Sequence, residues 1–370
     1  MCLTTMNELR IGTLFSGIGA AEFALKRLGI PHKIVFACDN GEIMLNENDE
    51  VIQARLSELQ TIEERKQYIK SLIPKKVNFV KKSYMANYEV AEDDFYHDVR
   101  YMDATPYRGQ VDLLVGGSPC QSFTLLGYQK GLEEARGTLF YEFARIVSET
   151  QPRVFIYENV KGLTSHDKGR TWEVVKRVFH SLNYQIHYQI LNAEEQGIPQ
   201  TRRRIFVVGF RDPVEHFEFP EKKELTFTMQ DFLQDNVAFG GFKSVNGEIV
   251  LERGGELVDE KYFLSEKILP GIMSSGTGGF YMEPEIDLPI ARPLMSSMHK
   301  MHRAGEDNYV TTNGRIRKLT PKECLRLMGF TDDFVQVVSD TQMYRQAGNS
   351  IVVDVFMQLI NKILLALGEI

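Results

Sequence analysis

Cysteine is scarce in this sequence: Cys2, Cys38, Cys120 and Cys324 are the only four, far apart and with no C-x-x-C pair. That spacing suggests neither a disulfide framework nor a zinc site, and a reducing compartment fits it. Long apolar runs are missing too. No stretch approaches the ~18 residues that a membrane span needs, and MCLTTMNELRIG lacks the basic, apolar and small-residue regions of a signal peptide. A soluble, intracellular chain is expected, without membrane partners. No low-complexity tract or internal repeat is present. Positive charge is in deficit: the formal net charge of -7 argues mildly against a nucleic-acid partner, because phosphate rewards Lys and Arg. The deficit is uneven. Between 292 and 330, eight basic residues (Arg292, Lys300, Arg303, Arg315, Arg317, Lys318, Lys322, Arg326) oppose Glu306, Asp307 and Glu323, a local excess of five that leaves room for a basic face.

What is present is a chain of 370 residues, 43% hydrophobic, long enough to bury a core. Short β-rich runs, RIGTLF (10–15), IVFACD (34–39), VDLLVGG (111–117), RVFIYEN (153–159) and RIFVVGF (204–210), read as strands. Amphipathic stretches such as AAEFALKRLG (20–29) and GTLFYEFARIVSE (137–149) lie between them. This alternation predicts an α/β fold with a doubly wound, mostly parallel, Rossmann-like sheet. After Pro213 the texture turns glycine-rich and irregular, as in GGFKSVNG (240–247) and SSGTGGF (274–280), which predicts a second, smaller domain. Regularity returns near 315: Thr320 and Glu323 have capping-box spacing, and 349–368 reads as a terminal helix. The division expected is 1–211 plus 335–370 for catalysis and cofactor, and 212–334 for recognition and hinge.

Four segments carry chemistry. FSGIGAAE (15–22) follows the first strand and opens a helix, where glycines permit close approach by a cofactor. It is not the dinucleotide fingerprint, since Glu22 stands where the third glycine would be. Asp39 ends the second strand, where an acidic side chain can take both ribose hydroxyls. GGSPCQSF (116–123) places Cys120 just beyond a buried strand, at the ligand-binding rim of an open sheet. A thiolate there is a candidate nucleophile; an inert buried cysteine is the plainer alternative. YENV (157–160) puts Glu158 on the same rim, and carboxylates rarely end a buried strand without a partner or a task. QTRRRIF (200–206) opens another strand with three arginines; alternation aims Arg202 and Arg204 to one side and Arg203 to the other. A solvated basic edge strand is its plainer alternative.

In this order and spacing the segments resemble the cytosine-5 DNA methyltransferase family. FSGIGAAE resembles its cofactor loop, GGSPCQSF its catalytic Pro-Cys loop, ENV its proton-donor motif and QTRRR its Gln-x-Arg-x-Arg motif, while RIRKLTPKECLRLMGF (315–330) and QAGNSIVVDV (346–355) resemble the late motifs. The resemblance implies S-adenosylmethionine as cofactor and methyl transfer to C5 of a flipped-out cytosine in a specific duplex DNA sequence. It makes Cys120 the nucleophile at C6, flanked by Pro119 and Gln121, and Glu158 the acid at N3. Arg204 takes O2, and Arg202 supports the loop or the base. It places Phe15, Ser16, Gly17, Gly19, Asp39 and Asn40 around the cofactor, Asp98, Val99 and Leu139 near adenine, and Asn349 and Ser350 near the methionine end. Leu125 and Leu126 become wedge candidates for the vacated base stack.

There are departures. Asp39 and Asp98 lie 59 positions apart, and the extra part, about 45–90, is rich in charge at helical spacing, which suggests a surface insertion. Asn40 stands where the family often has an aromatic residue, leaving Ile43 or Phe15 as apolar cover. ARPLMSS (291–297) offers Pro293-Leu294 where a Thr-containing dyad is usual. The resemblance further implies a cytoplasmic, nucleoid-associated monomer acting on double-stranded DNA in a bacterial or phage-infected cell, with a cognate restriction endonuclease as a potential companion. Two other readings are a tRNA cytosine-5 methyltransferase on the same scaffold and a non-catalytic regulatory paralogue.

Overall fold

The computed structural model describes residues 8–119, 138–276, 279 and 281–370. In chain order its elements are β1 (Leu9–Leu14), α1 (Ala20–Leu28), β2 (His32–Cys38), α2 (Asp49–Glu58), α3 (Ile62–Leu72), α4 (Phe79–Asn87), β3 (Phe95–Tyr96), β4 (Leu113–Gly116), α5 (Leu139–Thr150), β5 (Val154–Val160), α6 (Arg170–Ser181), β6 (Gln185–Asn192) and β7 (Arg203–Phe210). Then come β8 (Val237–Val245), β9 (Glu248–Arg253), α7 (Leu269–Ile272), β10 (Tyr309–Thr312), β11 (Arg315–Lys318), α8 (Pro321–Arg326), α9 (Asp340–Asn349) and α10 (Val353–Ala366).

Seven strands form one sheet in the order β3-β2-β1-β4-β5-β7-β6. The pairs from β3 to β5 are parallel, and β7 runs antiparallel to β5 with Glu158 opposite Phe206 and Val160 opposite Arg204. The strands read from sequence are all present, and β6 joins them: its sequence, QIHYQILN, has its first six residues half-buried or exposed and so carries no strong alternation. One face of the sheet is closed by α5 and α6. Phe140 and Phe143 of α5 and Phe179 of α6 pack on Phe155, Tyr157 and Val207 in a continuous apolar cluster, with Phe143 and Phe179 each next to both Phe155 and Tyr157.

By compactness the chain groups into Met1–Gly17, Pro31–Ile190 and Arg204–His216 as one unit, and Ile18–Ile30, Leu191–Arg203 and Phe217–Ile370 as another. The expected assignment of 335–370 to the first grouping differs from this, because the buried, apolar α10 packs on α1 and both fall in the second unit. The terminal helix also starts later than read. Helix α9 stops at Asn349 and α10 begins at Val353, since the carbonyls of Gly348 and Ser350 accept hydrogen bonds from the Arg202 guanidinium at 2.8 Å each.

The stretch read as irregular contains two hairpins. Asn246-Gly247 joins β8 to β9 and Asn313-Gly314 joins β10 to β11, all four residues having positive φ, as two-residue turns of this hand require. Arg326 of α8 is a hub of this second unit, fully buried, with its guanidinium on Asp332 at 2.8 and 2.9 Å and on the carbonyls of Phe232 and Val237. Asp332 in turn accepts the N–H groups of Gly240 and Phe242. Arg326→Met should therefore leave a buried carboxylate without its cation and cost about 3–5 kcal/mol. Urea unfolding followed by far-UV circular dichroism would show it, and a loss below ~1 kcal/mol would contradict the hub.

Candidate functional site

In a parallel sheet the carboxyl ends of the strands form the rim where ligands bind. In the first unit that rim carries Phe15 after β1, Asp39 after β2, Asp98 after β3, Gly117 to Pro119 after β4 and Glu158 at the end of β5. The turn after β1 has an unusual backbone: Phe15, Gly17 and Gly19 have φ of 54°, 55° and 75°. Ser16 is fixed by its Oγ, which accepts from the Cys38 N–H at 3.0 Å. Asp39 spreads its carboxylate between two backbone donors, Oδ2 taking the Gly17 N–H at 2.9 Å and Oδ1 the Gly41 N–H at 2.8 Å. Burial raises the Asp39 carboxyl above the ordinary aspartate range, although those two N–H groups favour the ionised form. Each oxygen retains a second lone pair, which suits it to accept from hydroxyl groups. Asn40 accepts the Glu42 N–H on its side-chain oxygen at 2.9 Å, an exposed contact.

Asp98 is buried and held by Arg100, whose Nη2 and Nε lie 2.6 and 3.1 Å from its two oxygens. Val99 is buried beside it, and Leu139 opens α5 against the same apolar cluster, capped by Thr138. The Arg100 contact was not foreseen, although an arginine two residues after an aspartate at a strand end is a local signal for it.

The loop after β4 is tied to β5. Asn159 donates to the Ser118 carbonyl at 2.9 Å and to the Tyr157 hydroxyl at 2.9 Å, and that hydroxyl lies 2.7 Å from Ser118 Oγ. Gly117 passes so close to Glu158 that a Cβ there would meet Oε2 at 2.7 Å and the backbone carbonyl at 3.0 Å, so a larger residue would push the carboxylate aside. Sequence reasoning singled out Glu158 and missed Asn159 beside it. Pro119 is exposed, at the edge of the described residues; Cys120, Gln121, Leu125 and Leu126 lie outside them. The two described cysteines are poor nucleophiles: Cys38 and Cys324 are buried, and burial pushes both thiols well up.

Glu158 and Arg204 meet on one face of the β5–β7 pair, with Arg204 Nε 3.1 Å from Glu158 Oε1 and both side chains largely buried. Phe206 lies directly opposite Glu158, so Arg204 is its diagonal neighbour, within reach of a long side chain. Arg203 is exposed. Arg202 is buried just before the strand and belongs to the second unit, where its guanidinium donates to the carbonyls of Leu294, Gly348 and Ser350. Gln200 of the same run is buried there too, donating to the Leu327 carbonyl at 2.7 Å and accepting the Leu294 N–H at 3.0 Å. The late segment thus gathers Arg202, Ser350 and Pro293-Leu294, with Asn349 exposed at the end of α9.

The basic face for which 292–330 leaves room is reduced by ion pairing. Arg317 is fully buried against Glu323 and Asp235, and Arg326 against Asp332. Arg292 pairs with Glu285, Arg315 with Glu260 and Lys322 with Glu256, while Lys318 is half-buried over the Tyr344 ring. Lys300 and Arg303 alone, among the described residues of that stretch, have no acidic or aromatic partner. The local excess counted along the chain is offset by carboxylates outside the stretch, Asp235, Glu256, Glu260, Glu285 and Asp332.

The family model described as C-5 cytosine-specific DNA methylase matches residues 9–365. The chain is 35% identical over 303 residues to the type II methyltransferase M.SsoII of Shigella sonnei, covering 79% of this chain and 73% of that protein. It is 36% identical over 255 residues to the type II methyltransferase M.HhaI of Haemophilus parahaemolyticus, covering 67% and 74%. Among solved structures, the S. pombe Dnmt2 methyltransferase superposes with a TM-score of 0.66 at 19% identity, over 98% of this chain and 99% of that one, a likeness of fold. Matched over nearly its whole length by the family model, and by relatives above 30% identity over two thirds or more of its residues, the chain belongs to the C-5 cytosine-specific DNA methylases.

Proposed function

We propose that this methyltransferase modifies C5 of a flipped-out cytosine in a specific duplex DNA sequence, with S-adenosylmethionine as methyl donor and Cys120 as nucleophile. The observation that carries the proposal is the Glu158–Arg204 pair, 3.1 Å apart on the sheet rim and directly beneath Gly117, three residues before Cys120. Cytosine C5 is a poor nucleophile and needs activation. The Cys120 thiolate adds to C6, and the electron pair displaced from C5=C6 is drawn through the ring while N3 takes a proton from Glu158. Arg204 orients the ring by donating to O2. After methylation the C5 proton leaves to solvent, C5=C6 re-forms, the thiolate departs, and N3 returns its proton to Glu158. Arg202 acts as a positioning residue, tying the segment at Leu294 to the end of α9 at Gly348 and Ser350.

The rim fits the proposed cofactor. Asp39 offers lone pairs for ribose hydroxyls, Asp98 and Val99 offer an acceptor and apolar contact at the adenine end, and the positive-φ turn at 15–19 brings backbone close. Asn349 and Ser350 are assigned to the methionine end. When bound, the cofactor supplies an electrophilic methyl group. The segment 212–313 is assigned to target recognition, and Leu125-Leu126 to filling the vacated stack. The same reading has one protomer acting on DNA in the cytoplasm, beside a restriction endonuclease where the cell carries one. Relatives at 33–36% identity bear the names of type II methyltransferases, which favours DNA over tRNA as substrate.

Expression in a methylation-free bacterial host tests this directly. Genomic DNA should acquire 5-methylcytosine in one sequence context, and exchanging 212–313 for the corresponding segment of a relative should change that context. New 5-methylcytosine in tRNA and none in DNA would overturn the substrate assignment.

A further inference from the structure

The insertion over 45–90 is more than surface ornament. Helix α3 starts at a complete Thr61–Glu64 capping box, so its position is set locally, yet none of its residues is fully buried. Its apolar residues Ile62 and Ile69, with Lys66 between them and Ile73 just past the helix end, face a cavity of about 630 Å³ that α3 and α4 enclose against the edge strand β3. Phe95 and Tyr96 of β3 and Met85 of α4 line the other side. Apolar residues so placed ordinarily meet a core. Here they meet a space of the size that holds a nucleotide-sized ligand.

Charge decides what would fill it. Arg65, Lys66, Lys70, Lys76, Lys81 and Lys82 surround the cavity against four carboxylates, Glu92, Asp93, Asp98 and Asp103, on a chain whose net charge is -7. Asp98 is already neutralised by Arg100. Lys70 and Lys81 hold Asp93 and Glu92 in solvent-exposed pairs, contacts worth about 0–1 kcal/mol that an anion can displace. Lys66 and Lys81 sit over the Tyr96 and Phe95 rings at 4.9 and 5.3 Å. Among the described residues, Lys76 and Lys82 have no carboxylate partner.

We propose that this cavity is a binding site for an amphiphilic organic anion, its apolar or aromatic body against Ile62, Ile69 and Ile73 and its phosphate or carboxylate on the lysine rim. Asp98 lines the cavity and, on the reading given above, also serves the cofactor's adenine; the site is then a neighbour of the cofactor site and separate from it.

The probe is anilinonaphthalene sulfonate, a flat apolar body with one anionic group, titrated into the full chain with fluorescence detection. One saturable site is expected, with the uncharged phenylnaphthylamine bound at least about tenfold more weakly. Lys76→Glu with Lys82→Glu, both on the exposed rim, should weaken the dye by about tenfold or more, and Ile69→Trp, which fills the space, should abolish the site. Displacement by ATP assigns the natural ligand to nucleotides, and displacement by dodecanoate to acyl anions. Displacement by S-adenosylhomocysteine or by duplex DNA, equal binding to all variants, or no saturable site would each overturn the proposal. A chain that bound the dye as expected and failed to bind S-adenosylhomocysteine would retain this site while losing the cofactor assignment.

Discussion

Duplex DNA carrying 5-fluorocytosine at the target position should become attached to the chain through a bond that survives denaturation, and only when S-adenosylmethionine is present. Fluorine at C5 cannot leave as the proton does, so the C5=C6 bond cannot re-form and the sulfur at C6 is not expelled. Peptide mapping should place the adduct on Cys120, and Cys120→Ser should form none, because a serine hydroxyl is a far weaker nucleophile than a thiolate. The effect is all or none. Cys38 and Cys324 serve as internal controls, since burial keeps both thiols protonated and out of reach. An adduct on either of them, or on Cys2, would remove the Pro-Cys loop from the chemistry. Adducts with fluorinated tRNA and none with DNA would move the substrate to RNA.

Glu158→Gln should lower turnover by about two to four decades while leaving cofactor affinity near its original value. Glutamine fills the same space beneath Gly117 and keeps an oxygen for the Arg204 Nε–H, but cannot supply the proton that N3 needs. Arg204 would lose its counter-charge in the variant, so a thermal melt is needed to separate a catalytic loss from a folding one. Binding of S-adenosylhomocysteine supplies the second control, because Asp39 and Asp98 stand on other strand ends. Near-normal turnover would take Glu158 out of the mechanism. A parallel loss of cofactor binding would instead make it part of the cofactor site.

Much of this was legible in the chain because the signals are local. A β-rich run followed by Gly-x-Gly or by Glu-Asn places a residue on the rim whatever the rest of the molecule does, and Asp39, Glu158 and Arg204 are found on strand ends as read. The hairpin turns at Asn246-Gly247 and Asn313-Gly314 carry a local signal as well, the Asn-Gly dipeptide, which the irregular reading of that stretch passed over. What could not be read is the pairing of charges. Arg317 meets Asp235 from 82 positions away, and neither its complete burial nor that of Arg326 follows from a tally of basic residues. The tally suggested a basic face, whereas folding places carboxylates beside most of those cations. Arg202 shows the same limit: strand alternation put it on the side of Arg204, but the strand begins one residue later and its guanidinium is taken by carbonyls from segments about 90 and 150 positions away.

The reversed direction of β7 has a genetic consequence. Because Glu158 arrives at the end of one strand and Arg204 at the start of its antiparallel partner, their meeting depends on a register in which Phe206 faces Glu158. Strand side chains alternate faces, so adding or deleting one residue between Arg204 and Phe206 would either turn the guanidinium toward the α5–α6 side or shift the whole apolar set of β7. Past the strand, over 212–216, most residues are exposed and the ladder imposes no such constraint. Length changes should thus be tolerated over 212–216 and eliminated over 204–206, a pattern that a library of single-codon insertions, selected for methylation, would write out position by position.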